Sequence, residues 1–153
     1  MGDRRGFRYE LEPVQRKCDW DLNDVVLKLT DVNRSVSEQE QRVQKLTHEF
    51  SQVKEDWNSQ LKTGQLNIDL QRITYGYLSQ LQDRISQKQI HLKSLEQERD
   101  TVIQRSHELR KFADNLEKHR GDALREHERK LAEVAFKDAD DTWLQRINWR
   151  KLK

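Results

Sequence analysis

Helix-breaking residues are scarce in this chain, with a single proline and five glycines, and cysteine occurs once. So little Pro and Gly leaves long helices uninterrupted. The lone thiol, Cys18, excludes an intrachain disulfide and suits a reducing cytoplasm. Apolar residues are also in short supply, at 33% against 37% charged, where a globular domain carries about half. That supply cannot fill a round core, but it suffices for a narrow stripe on each of a few long helices. No run approaches the length of a membrane span or the apolar region of a signal peptide; within the first helical stretch the longest is Val25-Val26-Leu27. A soluble chain without direct membrane insertion is therefore expected. Charge of one sign is missing too, since 29 basic and 27 acidic residues leave a net +2. A nucleic-acid-binding surface, which needs a basic stripe, is not expected.

What is present is heptad spacing. From Leu22 the apolar positions run Leu22, Val25, Leu29, Val32, Val36, Val43, Leu46, Phe50, Val53 and Trp57, with Gln39 as the one polar residue on the seam. Steps alternating between three and four residues over this length predict a coiled-coil helix. Cys18 falls on the same stripe with Val14 and Leu22, which predicts plain packing rather than a redox role. Pro13 suits the first turn, where its missing N–H costs nothing. Asp24/Lys28 and Glu38/Arg42 are acid-before-base pairs four apart, as on a solvated helix face.

The pattern breaks at Lys62-Thr63-Gly64-Gln65. Gly64 is suited to end a helix in the left-handed conformation, and Asn67 or Asp69 to cap the next. A second seam follows, through Leu78, Leu81, Ile85, Lys88, Leu92, Leu95, Arg99, Val102, Ser106, Leu109, Ala113, Leu116, Arg120, Ala123 and His127. A short link between two long helices makes them antiparallel neighbours. The expected fold class is all-α: two long helices in an antiparallel coiled-coil hairpin, the second longer than the first. The expected organisation is a single hairpin over 1–153, with an N-terminal extension (1–12), helix one (13–62), a tip (63–69), helix two (70–137) and a C-terminal tail (138–153). Folding near residue 65 puts Leu29 near Val102 and Val43 near Lys88. Residues beyond about 117 then lack a partner on the shorter arm, and the seam turns polar there at Arg120 and His127. Gly121 is a weak point within helix two.

Catalytic and metal-binding patterns are lacking. His48, His91 and His107 stand far apart, and His119 and His127 are eight residues apart, so none has the i, i+4 partner of a helix-borne zinc pair. There is no glycine-rich phosphate loop and no nucleophile elbow, and a two-helix hairpin offers no cleft to shift carboxylate pKa values. The expectation is a non-enzymatic protein with no cofactor and no metal. Two groups of residues remain as candidate protein-binding surfaces. Trp57, Tyr75 and Tyr77 flank the tip, where they either seal the coiled coil or anchor a partner. Arg4, Arg5 and Arg8, then Arg105, Arg110, Lys111, Arg120, Arg125, Arg129 and Lys130, lean basic at the open end. Glu117, Asp122, Glu126 and Glu128 are interspersed among them, as on a solvated face. Trp143 and Trp149 lie in the basic tail.

Taken together, several segments resemble the FliJ/YscO-type stalk proteins of flagellar and injectisome type III export. They are the opening Phe7-Arg8-Tyr9-Glu10-Leu11-Glu12-Pro13-Val14, the tip Leu61-Lys62-Thr63-Gly64-Gln65-Leu66, the start of helix two at Tyr75-Gly76-Tyr77-Leu78-Ser79-Gln80-Leu81, and Lys130-Leu131-Ala132-Glu133-Val134-Ala135-Phe136-Lys137. Members of this family share length and helix layout more than residues, and the Trp-rich tail departs from the pattern. The resemblance implies a stalk in the bacterial cytoplasm, at the cytoplasmic face of the secretion apparatus, similar in architecture to the shaft of rotary ATPases. It implies a hexameric export ATPase as partner, met at the open end through Arg4, Arg5, Arg8, Arg120, Arg125, Arg129 and Lys130. It implies a membrane export gate protein met at the tip through Trp57, Tyr75 and Tyr77; some members also handle export chaperones. Two other readings stay open. Val26, Leu27, Ile90 and Ile103 lie off the main seam, as in a generic coiled-coil scaffold or oligomerisation rod, and salt-dependent DNA binding would mark a nucleic-acid-binding hairpin.

Overall fold

A computed structural model of the chain describes residues 5–64 and 67–151. Two helices packed against each other make a helical hairpin: α1, Glu12–Lys62, of 51 residues, and α2, Ile68–Lys151, of 84. Helix α1 opens where Glu12 donates its N–H to the Tyr9 carbonyl at 3.2 Å and Gln15 donates to Leu11 at 2.9 Å, with Pro13 inside the first turn. It closes where Thr63 donates to Ser59 at 3.2 Å, and Gly64 follows at φ 72°. A side chain at that left-handed φ would be strained, so glycine is the residue that lets the chain leave the helix there. Asn67, rather than Asp69, caps α2: its Oδ1 accepts the backbone N–H groups of Asp69 at 3.1 Å and Leu70 at 3.4 Å. Gln65 and Leu66, within the expected tip, lie outside the described residues.

Both seams are buried as their spacing predicts. On α1 every position from Leu22 to Trp57 is buried or half-buried, Gln39 included, and on α2 the same holds from Leu78 to His127 except at Arg120. Half-buried Lys88 and Arg99 fit the seam because their methylene stems pack while their charges reach water. Val14 departs from expectation. It is 39% exposed, whereas Cys18 is 3% exposed, so the stripe runs through Cys18 without Val14.

Where the sequence reads as a single hairpin, the chain divides into two compact units: Asn23–His107, and Met1–Leu22 with Glu108–Lys153. Within the first, Val25, Val32, Val36 and Gln39 of α1 are buried, as are Leu78, Leu81, Ile85 and Ser106 of α2. Gln39 donates its side-chain amide to the Lys88 carbonyl at 3.1 Å, one turn before Val43, which the sequence set beside Lys88. Within the second unit, Tyr9, Cys18, Leu109 and Leu116 are buried, and the Cys18 thiol donates to the Leu109 carbonyl at 3.6 Å.

Two expectations are corrected here. Helix two does not end at 137 with a tail over 138–153, because α2 continues to Lys151. The expected tail begins at Asp138, but no Pro or Gly lies there or beyond it, and the backbone has nothing to interrupt its hydrogen bonds. Nor is the face of α2 beyond residue 117 bare. The N-terminal arm ahead of α1 lies along it: Tyr9 meets Leu116 and His119, and Phe7 and Arg5 meet His127.

Candidate functional site

In the unit formed by Met1–Leu22 and Glu108–Lys153, the arm and α2 build a groove of about 400 Å³, with Phe7, Arg8, Tyr9, Glu126, His127 and Lys130 among its walls. The Tyr9 hydroxyl donates to the Leu116 carbonyl at 3.2 Å, and its oxygen lies 2.9 Å from His119 Nδ1. With the phenol proton on Leu116, the imidazole donates to the phenol oxygen. Phe7 packs tilted against His127, ring centroids 5.5 Å apart, and His127 Nε2 donates to the Arg5 carbonyl at 3.2 Å. These two histidines were not among the candidate residues. The signal was an aromatic pair two apart, Phe7 and Tyr9, matched to two imidazoles eight apart on a helix.

Of the basic residues expected at this end, Arg8 and Lys130 come together at the groove. Arg4 lies outside the described residues, and Arg5 enters through its backbone carbonyl. Arg120 is exposed and donates to Gln15 Oε1 at 3.3 Å. Arg125 is paired with Asp122. Arg129 bridges Glu126 at 2.7 Å and Glu133 at 2.8 Å, and Lys130 stands 3.8 Å from Glu126. The hydrogen bond from Arg129 holds the Glu126 carboxyl below its ordinary range, and Glu126 in turn raises the Arg129 guanidinium. The result is a lattice of exposed pairs three and four apart along α2, more compensated than a basic patch.

In the unit Asn23–His107, the expected tip aromatics take different positions. Trp57 is half-buried and meets Tyr75 edge-on, 6.3 Å between centroids at 85°. Its indole N–H is buried without an acceptor among the described residues. Tyr75 is 68% exposed, and Tyr77 is exposed and donates its hydroxyl to the Glu49 carboxylate. That hydrogen bond, ahead of burial and the Glu49 charge, raises the Tyr77 phenol above its ordinary range. Phe50, Lys54, Trp57, Leu61, Tyr75 and Leu78 line a groove of about 440 Å³. Ile68 and Ile73 are also exposed, so this end presents apolar surface as well as sealing itself.

Burial, ahead of the neighbouring Asp19 and Asp21 charges, pushes the Cys18 thiol up, which keeps it protonated and fits a packing role. Among the described residues no group of three or more His, Cys, Asp or Glu is placed to hold a metal ion, and no helix is long and apolar enough to cross a membrane. Compared with protein-family models, with curated proteins and with solved structures, the chain matches none.

Proposed function

We propose that this chain is a non-enzymatic central stalk of a type III protein export apparatus, working at the cytoplasmic face of a bacterial secretion system. In this reading it enters the hexameric export ATPase, promotes its activity and links it to the membrane export gate. The observation that supports it is the inequality of the helices, 51 residues in α1 against 84 in α2. A hairpin of this kind has two different ends for two different partners, and the FliJ/YscO-like segments of the sequence supply the identity of those partners. The ladder of exposed ion pairs around Arg125 and Arg129 offers an ATPase many modest polar contacts, which govern association more than fold. The apolar end around Tyr75 and Tyr77 would meet the gate.

The test is stimulation of the cognate hexameric ATPase. Arg120→Glu, Arg125→Glu and Arg129→Glu together should leave helical content intact, since an exposed i, i+4 pair is worth about 0.2–0.5 kcal/mol. The same variant should weaken stimulation, while Tyr75→Ala should spare stimulation and impair gate binding. A wild-type protein that neither binds nor stimulates the ATPase overturns the stalk reading; a triple variant that behaves as wild type overturns the residue assignment. A second reading, a coiled-coil scaffold, draws on the exposure of Val26, Leu27 and Ile90, and it requires wild type to be without effect on the ATPase.

A further inference from the structure

One segment of the chain already sits on α2 as a partner would. Residues 5–11 are not helical, yet Tyr9 is 6% exposed and meets Leu116, itself 5% exposed. Pro13 keeps this segment from joining α1. A helix running through Pro13 would lose the hydrogen bond of its nitrogen and set its ring against the Tyr9 carbonyl four residues back. The arm therefore lies on α2 as a short peptide, tethered where α1 begins at Glu12.

Its contacts define what that face of α2 takes. The Phe7 ring meets His127 at 5.5 Å between centroids, and the Tyr9 ring meets His119 at 5.7 Å. The Tyr9 hydroxyl donates to the Leu116 carbonyl. Two aromatic side chains two residues apart are thus matched to two imidazoles on a helix that makes its own backbone hydrogen bonds. The fit is loose. A groove of about 400 Å³ stays open beside the arm, and Arg8 shares its lining with a like charge, Lys130. Among the described residues Arg8 makes no ion pair. A segment that fills more of this space, or lacks that arginine, suits the face better than the arm does.

We infer that the face of α2 from Leu116 to Lys130 is a docking site for a non-helical segment of a partner protein with two aromatic side chains two residues apart. The chain's own arm is an exchangeable occupant, which keeps the site closed until such a segment displaces it. A short tether holds the arm at an effective concentration in the millimolar range. A docked arm that outnumbers the free one by about ten to one then corresponds to a Kd of about 0.1 mM for the same segment in trans. The inference goes beyond the export reading and does not depend on it.

The probe is a fluorescently labelled synthetic peptide of residues 5–12, followed by anisotropy. Full-length wild type is compared with a full-length variant carrying Phe7→Ala and Tyr9→Ala, its helical content checked by circular dichroism. The variant should bind the peptide at least about tenfold more tightly, because in wild type the arm competes. Adding His127→Ala to the variant should weaken binding again. A peptide with alanine in place of both rings should bind neither protein. Wild type also reports displacement directly, which decides the matter if the variant does not fold. It has three tyrosines. With 3-fluorotyrosine at all three, excess unlabelled peptide should move the Tyr9 resonance, assigned from Tyr9→Phe, and leave those of Tyr75 and Tyr77 in place. Four results overturn the proposal. They are no binding to the folded variant up to about 1 mM peptide, equal binding to variant and wild type, binding that survives loss of both rings, and a Tyr9 resonance that excess peptide leaves unmoved.

Discussion

Gln39 and Lys88 are joined by a hydrogen bond from the Gln39 amide to the Lys88 backbone carbonyl, 3.1 Å long, with Gln39 only 1% exposed. A buried polar side chain among apolar seam positions fixes which turn faces which, because a slip would strand the amide away from an acceptor. Gln39→Ala should therefore cost about 1–3 kcal/mol through the lost hydrogen bond and the space left behind. Gln39→Leu should stay within about 1 kcal/mol of wild type, since it removes the need for the bond and keeps the volume. Urea unfolding followed by circular dichroism measures both. Equal midpoints for Gln39→Ala and wild type would show that the pairing is not as described.

The docked arm makes a separate prediction. Tyr9→Phe keeps the ring and loses the contacts to Leu116 and His119, a cost of about 1 kcal/mol, while Tyr9→Ala also empties a buried site and should cost about 3 kcal/mol or more. An identical unfolding curve for Tyr9→Ala would mean that the arm leaves α2 uncovered.

Glycine substitutions should differ in sign. At Gly64, φ 72° makes any side chain strained, so Gly64→Ala should lower stability by about 1 kcal/mol. Gly76 and Gly121 lie inside α2, and a Cβ at either meets nothing within 4 Å. Gly76→Ala and Gly121→Ala should each raise stability by about 1 kcal/mol. A destabilising Gly121→Ala would contradict a continuous helix at that point.

The Tyr77 phenol gives the pH dependence. Its donation to Glu49 raises the folded-state pKa above the ordinary tyrosine value, so the neutral form is the one the fold favours. That contribution is complete below the unfolded-state pKa and is lost as pH rises through the folded one, in the alkaline range. Ultraviolet titration should show Tyr77 ionising above the ordinary tyrosine range, and Glu49→Gln should bring it earlier. A Tyr77 that Glu49→Gln leaves unchanged would refute the hydrogen bond.

How much of this could be read in the sequence depended on which partner made the pattern. Helix against helix leaves a heptad, so the seams from Leu22 to Trp57 and from Leu78 to His127 were visible, as was the stop at Gly64, while the cap was narrowed only to Asn67 or Asp69. A non-helical arm leaves no period. Phe7 and Tyr9 therefore fell in an N-terminal extension, His127 counted as a polar entry on the seam, and His119 was weighed only as a metal ligand. The end of α2 was misread for a related reason. The seam runs out at His127 and the tail was set after Lys137, but a faded seam does not break the backbone, and periodicity reports only the seam. Ion pairing was legible in part: Asp122 and Glu126 stand among the basic residues as on a solvated face, and it is these acids that pair with Arg125 and Arg129.

The way the arm is held has a dynamic consequence. Ring contacts of Phe7 and Tyr9, the Tyr9 hydroxyl and the His127 bond to the Arg5 carbonyl attach it, with no backbone–backbone hydrogen bond to α2 among the described residues. Releasing it unwinds no helical turn, which puts the arm at the low end of the molecule's local opening free energies. Its amides should exchange with solvent well before those around Gln39. Each opening then bares the face of α2 from Leu116 to His127 while both helices stay formed, a transient surface on an otherwise intact hairpin.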